Sequence, residues 1–312
     1  MAANARLWFG LAVLVLVIAG VQWLIGWNQL LMLWRSISPA ALALAALSTL
    51  GSYAVRALRL YDYFLPATHG GFVACLKLTL LHNLLNNLLP MRTGEVSFPV
   101  LMTRYFATPL ASSLAALLWF RLMDVHALAA VALLAVAGRW WGVGWAGLLT
   151  AVWLGLPWWS FRLQAAPALA RLGQRLPERW RDRLARAREG LPQTPTAFWR
   201  AWLWTQLNWL VKLAVFAWIL RLFAPMPGAA AVMGAIGGDL TSVLPVHGVA
   251  GAGTYEAGVV AALTPFGIPA AAALAAAVNL HLFMLGLSLL GGALGFLLRH
   301  DRPASGPLRR NG

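Results

Sequence analysis

The sequence predicts an all-α integral membrane protein of about six full transmembrane helices plus two broken, re-entrant helical hairpins in an inverted-repeat arrangement. Three observations predict it. Hydrophobic residues make up 61% of the chain and charged residues 11%, against roughly 25% charged in an average soluble domain. Mean hydropathy is +0.72, and the apolar residues come in runs of about the 20 needed to cross a hydrocarbon core roughly 30 Å thick. Two of these runs are interrupted near their middles by Pro, Gly and ionisable residues.

Taken in order, the first span is 7–27. It is too long for a signal-peptide core and has no small-residue cleavage site, so it reads as a retained helix. Span 39–60 follows, and then the first broken region, 72–106. Its centre reads Asn86-Asn87-Leu-Leu-Pro90-Met-Arg92-Thr-Gly94-Glu95. Spans 110–137 and 141–160 form a hairpin leading into a basic loop, 161–196. There Leu169, Leu172, Leu176, Trp180, Leu184 and Leu191 recur near a helical period among arginines. This is either an amphipathic helix on the anionic inner leaflet, interrupted at Pro177, or a solvated positive-inside loop. Span 197–223 precedes the second broken region, 229–266. Its centre runs Leu244-Pro245-Val-His247-Gly-Val-Ala-Gly251-Ala-Gly253-Thr-Tyr-Glu256. Span 270–298 and a cytoplasmic tail, 299–312, complete a single membrane domain over 1–300.

The net charge of +15 comes from 24 Lys and Arg against 9 Asp and Glu. Membrane topology accounts for it, because cytoplasmic loops collect basic residues. No basic soluble domain remains once the apolar spans are removed, so nucleic acid is not an expected partner. The arginines of 161–200 and of the tail place both on the cytoplasmic side of the plasma (inner) membrane. Arg56 and Arg59 then close span 39–60 on the inside, and Arg6 leaves the N-terminus inside. Region 72–106 would enter from the cytoplasm and 229–266 from the outer side, as an inverted repeat requires. The single cysteine, Cys75, rules out an intramolecular disulfide and a thiolate metal site. No metal or cofactor is expected. Tryptophans near span ends, among them Trp140, Trp141 and Trp159, read as aromatic belts.

The residues that carry chemistry are the polar ones at membrane depth. A charged side chain at the bilayer centre costs at least about 2.5 kcal/mol, so such residues pair or face a cavity. Arg92 and Glu95 lie within the first break, where Pro90 denies an amide hydrogen and Gly94 permits a sharp turn. The other reading of this break is a short cytoplasmic loop between ordinary spans. His82 with Asn86, and Asn83 with Asn87, share faces at i, i+4 spacing. Arg121 and Asp124, three apart inside span 110–137, form either a packing salt bridge or the wall of a translocation cavity. Asp239, His247 and Glu256 are spread through the second break. Gly251 and Gly253 there would open a half-helix at about Thr254, whose positive end would welcome an anionic group. Lys77, Lys212 and His281 read as interfacial or packing residues.

Asn87-Leu-Leu-Pro90-x-Arg92-x-Gly94-Glu95, Arg121-x-x-Asp124, and Leu244-Pro245 followed by Gly251-x-Gly253-x-x-Glu256 resemble the lysylphosphatidylglycerol synthase transmembrane family over roughly 1–300. Phe120 stands where members often carry an acid, and His247 where more glycine is usual. The resemblance implies the membrane region associated with lipid flipping in aminoacyl-phosphatidylglycerol synthases. That region also occurs in stand-alone flippase-like proteins, some linked to hopanoid lipids or polyprenyl-linked sugars. Nothing after Arg299 is long enough for the soluble aminoacyl-transfer domain, so the translocating half is expected without the synthetic half.

The expected function is a translocase for a membrane lipid or lipid-linked precursor, with an anionic or lipid-linked headgroup as its substrate. In that reading Arg92 and Arg121 contact the headgroup, while Glu95, Asp124 and Glu256 hold the arginines or carry protons. No nucleotide-binding loop is present, which leaves an ion gradient or no energy source. A lipid-modifying membrane enzyme is the alternative, although the chain has neither Gly-x-Ser-x-Gly nor His-Glu-x-x-His. A third reading is a non-catalytic membrane partner of a lipid or glycan synthesis enzyme. A homo-oligomer is compatible with all three.

Overall fold

Pro39 opens the first long helix of the computed structural model, where its missing amide hydrogen is no loss, and the Ser38 hydroxyl accepts from the Ala41 amide at 3.2 Å. Thr194 and Pro195 repeat the device at a later helix, with Thr194 accepting from Ala197 at 3.2 Å. The structure describes residues 15–16, 18–164, 177–241 and 249–299, and no strand occurs among them. The helices used below are α1 (Trp27–Arg35), α2 (Pro39–Tyr63), α3 (Phe72–Leu88), α4 (Ser97–Phe106), α5 (Leu110–Gln164), α6 (Glu178–Glu189), α7 (Pro195–Phe223), α8 (Gly228–Thr241), α9 (Thr254–Leu263) and α10 (Ala270–Leu297).

Among the described residues, α2, α5, α7 and α10 are long and apolar enough to cross a membrane. Helix α5 carries both spans expected over 110–137 and 141–160. It runs straight through 138–140 and turns instead at Gly142, where φ is 81° and ψ 166°. Such a φ is open to glycine without a steric penalty. The described part of the first span is helical at 15–16 and 18–24 and ends at Gly26, with φ 86°. Helix α1 beyond it was not expected. In the basic loop, α6 covers Trp180 and five arginines, whereas Leu169, Leu172 and Leu176 lie outside the described residues. The loop is tied to the membrane helices through the Tyr63 hydroxyl, which donates to the Gly190 carbonyl at 2.8 Å, and beyond the loop an Arg200–Asp62 ion pair joins α7 to α2.

The first interrupted region folds as helix, irregular turn, helix, and the described residues of the second place a helix on either side of the turn Val249–Gly251. In the first, Leu89 is extended (φ −79°, ψ 136°), as expected before a proline, and Pro90–Val96 forms a 3₁₀ turn between α3 and α4. Gly94 is buried in that turn. A Cβ there would collide with the Leu85 carbonyl and the Asn86 backbone, so the turn folds back onto the last turn of α3 only because the side chain is absent. In the second region α8 and α9 pack side by side. A Cβ on Gly237 or on Gly258 would strike the other residue's carbonyl oxygen, the close backbone approach that small residues allow within membranes. The turn Val249–Gly251 leads into α9, with Gly251 at φ 76° and Gly253 at φ 83°. Residues 242–248, His247 among them, lie outside the described set.

Helix α2 packs on α3 and α7, α10 packs on α3, α7 and α9, and α7 also touches α5 and α8. Two apolar clusters result. One joins α7, α8, α9 and α10, with Phe216, Leu220 and Leu263 at its centre. The other joins α3, α4 and the first half of α5 around Leu78, Met102 and Phe120. Where they meet, the 3₁₀ turn of the first hairpin touches the turn Val249–Gly251 of the second.

Candidate functional site

The polar residues of eight chain segments converge between these two apolar clusters. Three segments contribute pairs at i, i+3 spacing, which puts both members on one helix face: Arg56 and Arg59 on α2, Arg121 and Asp124 on α5, Trp209 and Lys212 on α7. Lys212 and His281 stand near the middles of α7 and α10, the depth at which a spanning helix is farthest from water.

The ion pairs connect across helices. Asp124 accepts from Arg59 at 2.7 Å and from the Trp209 indole at 3.0 Å, both on Oδ1. Arg59 also donates to Thr205 at 2.9 Å, and its guanidinium lies 4.4 Å from the Phe120 ring centroid. Phe120, the departure from the family pattern, therefore covers a buried arginine with its electron-rich face. Arg121 bridges Glu95 of the 3₁₀ turn at 2.7 Å and Asp124 at 3.7 Å. Lys212 pairs with Asp239 at 2.7 Å beneath the rings of Trp209 and Phe216.

Glu256 and His281 form a fourth pair at 2.6 Å. The second ring nitrogen of His281 lies 2.8 Å from the Ala250 carbonyl, which can only accept, so that nitrogen carries a hydrogen. One further proton is held between the other nitrogen and the Glu256 carboxylate. The remaining Glu256 oxygen accepts from the Gly253 amide at 2.8 Å. Helix α9 does begin at Thr254, but its own Glu256 occupies the N-terminal amides that were expected to welcome a ligand.

A cavity of about 50 Å³ sits inside the cluster, lined by Arg56, Asn83, Asn86, Asn87, Arg121, Asp124, Lys212, Asp239, Tyr255 and His281 among others. Asn87 donates to Ser288 at 2.7 Å, and Asn83 accepts from Arg56 at 2.7 Å. Beyond Glu256 lies an apolar groove of about 460 Å³ on the flank of α9 and α10, walled by residues such as Val21, Leu24, Val260 and Leu274. Among the described residues that line it, Glu256 is the ionisable one.

Of the residues singled out from sequence, Asn87, Glu95, Arg121, Asp124, Asp239 and Glu256 come together here, and Gly251 and Gly253 shape the turn beside them. The Arg92 side chain and all of His247 lie outside the described residues. Lys212 and His281, read as interfacial or packing residues, are instead paired members of the cluster. Arg56 and Arg59, read as inner-surface charges, point into the protein, and Arg59 is only 4% exposed. Lys77 does serve packing: it donates to the Leu298 carbonyl at the end of α10, at 2.8 Å. Among the described residues no group of His, Cys, Asp and Glu side chains is arranged to hold a metal ion.

Fold and cluster together define a multi-pass, all-α integral membrane protein with an ion-paired polar centre. Residues 7–292 match the family model described as "Lysylphosphatidylglycerol synthase TM region". The chain belongs to that family, which gives it a membrane lipid-related role. Searches of curated proteins and of solved structures find no match.

Proposed function

We propose that the protein moves a membrane lipid or lipid-linked precursor across the bilayer, the headgroup passing through the central polar cavity. The observation that carries this reading is the meeting of two broken hairpins at a buried, ion-paired cavity. Irregular backbone at membrane depth is tolerated only where protein buries it or where it lines a water-filled cavity. Broken helices that enter from opposite faces and meet at the midplane are how alternating-access transporters build a substrate site. The basic residues of α6 and of the segment after α10 support the same orientation, now without help from Arg56 and Arg59.

A cavity of about 50 Å³ has room for a few waters, at roughly 10–15 Å³ of such volume each, and not for a lipid headgroup. The conformation is therefore closed, and transport requires one hairpin to rock away from the other. The apolar groove beside Glu256 offers the hydrocarbon chain a path that stays in the bilayer while the headgroup crosses. The proton held between Glu256 and His281 lies between groove and cavity, where it would couple movement to a proton gradient.

Reconstitution into proteoliposomes that carry a headgroup-labelled fluorescent lipid tests the class of activity. The expected result is accelerated exposure of inner-leaflet label to an external quencher, with every lipid mass unchanged. A new lipid species without movement would make the protein a modifying enzyme. Neither movement nor a new species, across anionic and lipid-linked substrates, would make it an accessory partner.

A further inference from the structure

Resting on the translocase reading, we propose that Arg56 is the anchor for an anionic, phosphate-bearing headgroup. Each of the four acidic side chains in the cluster has its own basic partner: Glu95 has Arg121, Asp124 has Arg59, Asp239 has Lys212 and Glu256 has His281. Arg56 lines the same cavity and makes no ion pair with another described residue. Its hydrogen-bond partner among the described residues is a neutral amide oxygen, that of Asn83, and its Nε–H is buried without an acceptor.

The neighbouring wall repeats the pattern. The Arg121 Nε–H, the Asn83 amide nitrogen and the Tyr255 hydroxyl are also buried without a partner among the described residues. On the acceptor side, the Asn86 amide oxygen is idle among the described residues, and Lys212 engages Oδ1 of the Asp239 carboxylate. Among the described residues the cavity is rich in unpartnered donors, and Arg56 shares the charge of Asp124 with Arg59 and Arg121 instead of having an ion pair of its own. An incompletely compensated charge at this depth is unfavourable. A phosphate group reverses the imbalance, because it brings negative charge and several acceptor oxygens that a guanidinium engages in a fork. A cationic or neutral headgroup would leave Arg56 as it is. Arg121, expected from sequence together with Arg92 to meet the headgroup, is already committed to Glu95 and Asp124.

The chemistry is shared by glycerophospholipids and polyprenyl phosphates, so both are used as probes. The full chain in phosphatidylcholine nanodiscs is titrated with phosphatidylglycerol, a polyprenyl phosphate, a neutral diacylglycerol-linked sugar and inorganic phosphate. Binding is read by native mass spectrometry and by the shift in thermal unfolding. At least one of the two phosphate lipids is expected to bind about tenfold or more tighter than the neutral lipid, as one charge-assisted contact implies, and the tighter of the two names the source. Arg56→Gln is expected to bring that preference to within about twofold. Arg56→Lys, which keeps the charge and loses the fork, is expected to retain an intermediate preference and is the variant read if Arg56→Gln does not fold. Folded Arg56→Gln or Arg56→Lys protein with the full wild-type preference would overturn the proposal, as would a wild type that favours the neutral lipid. Inorganic phosphate bound as tightly as the lipids, with loss in Arg56→Gln, would keep the anion site and sink the lipid reading. Transport of neutral lipid without phosphate preference would do the reverse.

Discussion

Asp124→Ala is expected to destabilise the protein by about 3–5 kcal/mol and to abolish transport, because it removes one partner of a buried ion pair and leaves the other charge in place. Asp124 is 5% exposed and holds three groups from three helices: Arg59, Arg121 and the Trp209 indole. Without it, two guanidiniums lose a counter-charge and the indole N–H loses its acceptor. Thermal unfolding in detergent reads the effect. Arg59→Met combined with Asp124→Leu should recover most of the lost stability, since apolar residues of similar volume can replace a buried pair at little cost. Transport should stay lost in the double variant. A single variant as stable as wild type would mean that the arginines are neutralised elsewhere.

Gly94→Val should be the most damaging change in the first hairpin, at about 3 kcal/mol or more. Overpacking a well-packed site costs roughly 1–3 kcal/mol even when neighbours are flexible side chains, and here the obstacles are the Leu85 carbonyl and the Asn86 backbone. The 3₁₀ turn would have to lift off α3. That lift would carry Glu95 away from Arg121 and part the turn from Val249–Gly251. Gly51, also in a helix, has open space where its Cβ would stand, so Gly51→Val provides the control. The readouts are thermal unfolding and proteolysis near residue 94. Equal behaviour of the two variants would contradict the packing described.

The fold class and both hairpins were legible because their causes are local: apolar runs of spanning length, each broken by Pro, Gly and charge. Glu95, Arg121 and Asp124 were legible for the same reason, as charges where no short side chain reaches water. Arg56 and Arg59 were not. They lie toward the end of α2, where a long basic side chain can snorkel to the interface, and nothing local distinguishes an inward arginine from an outward one. Lys212 and His281 were hidden differently. Their partners Asp239 and Glu256 stand 27 and 25 residues away, beyond a helix end and a turn, so no periodicity links them. The bend of α5 at Gly142 rather than over 138–140 reflects a backbone conformation that the Trp-rich sequence around it does not signal.

The pair that joins the first hairpin's turn to the rest of the cavity wall is Glu95 with Arg121. Lipid movement in proteoliposomes is therefore best compared for wild type, Glu95→Gln and Arg200→Gln at equal protein density. Arg200 sits outside the cavity with its side chain 54% exposed, and its variant should move lipid at the wild-type rate. Glu95→Gln should fold normally and move lipid at least about tenfold more slowly, the worth of roughly 1.4 kcal/mol from one lost charged contact. Movement at the wild-type rate by folded Glu95→Gln protein would contradict the claim that the headgroup passes between these hairpins.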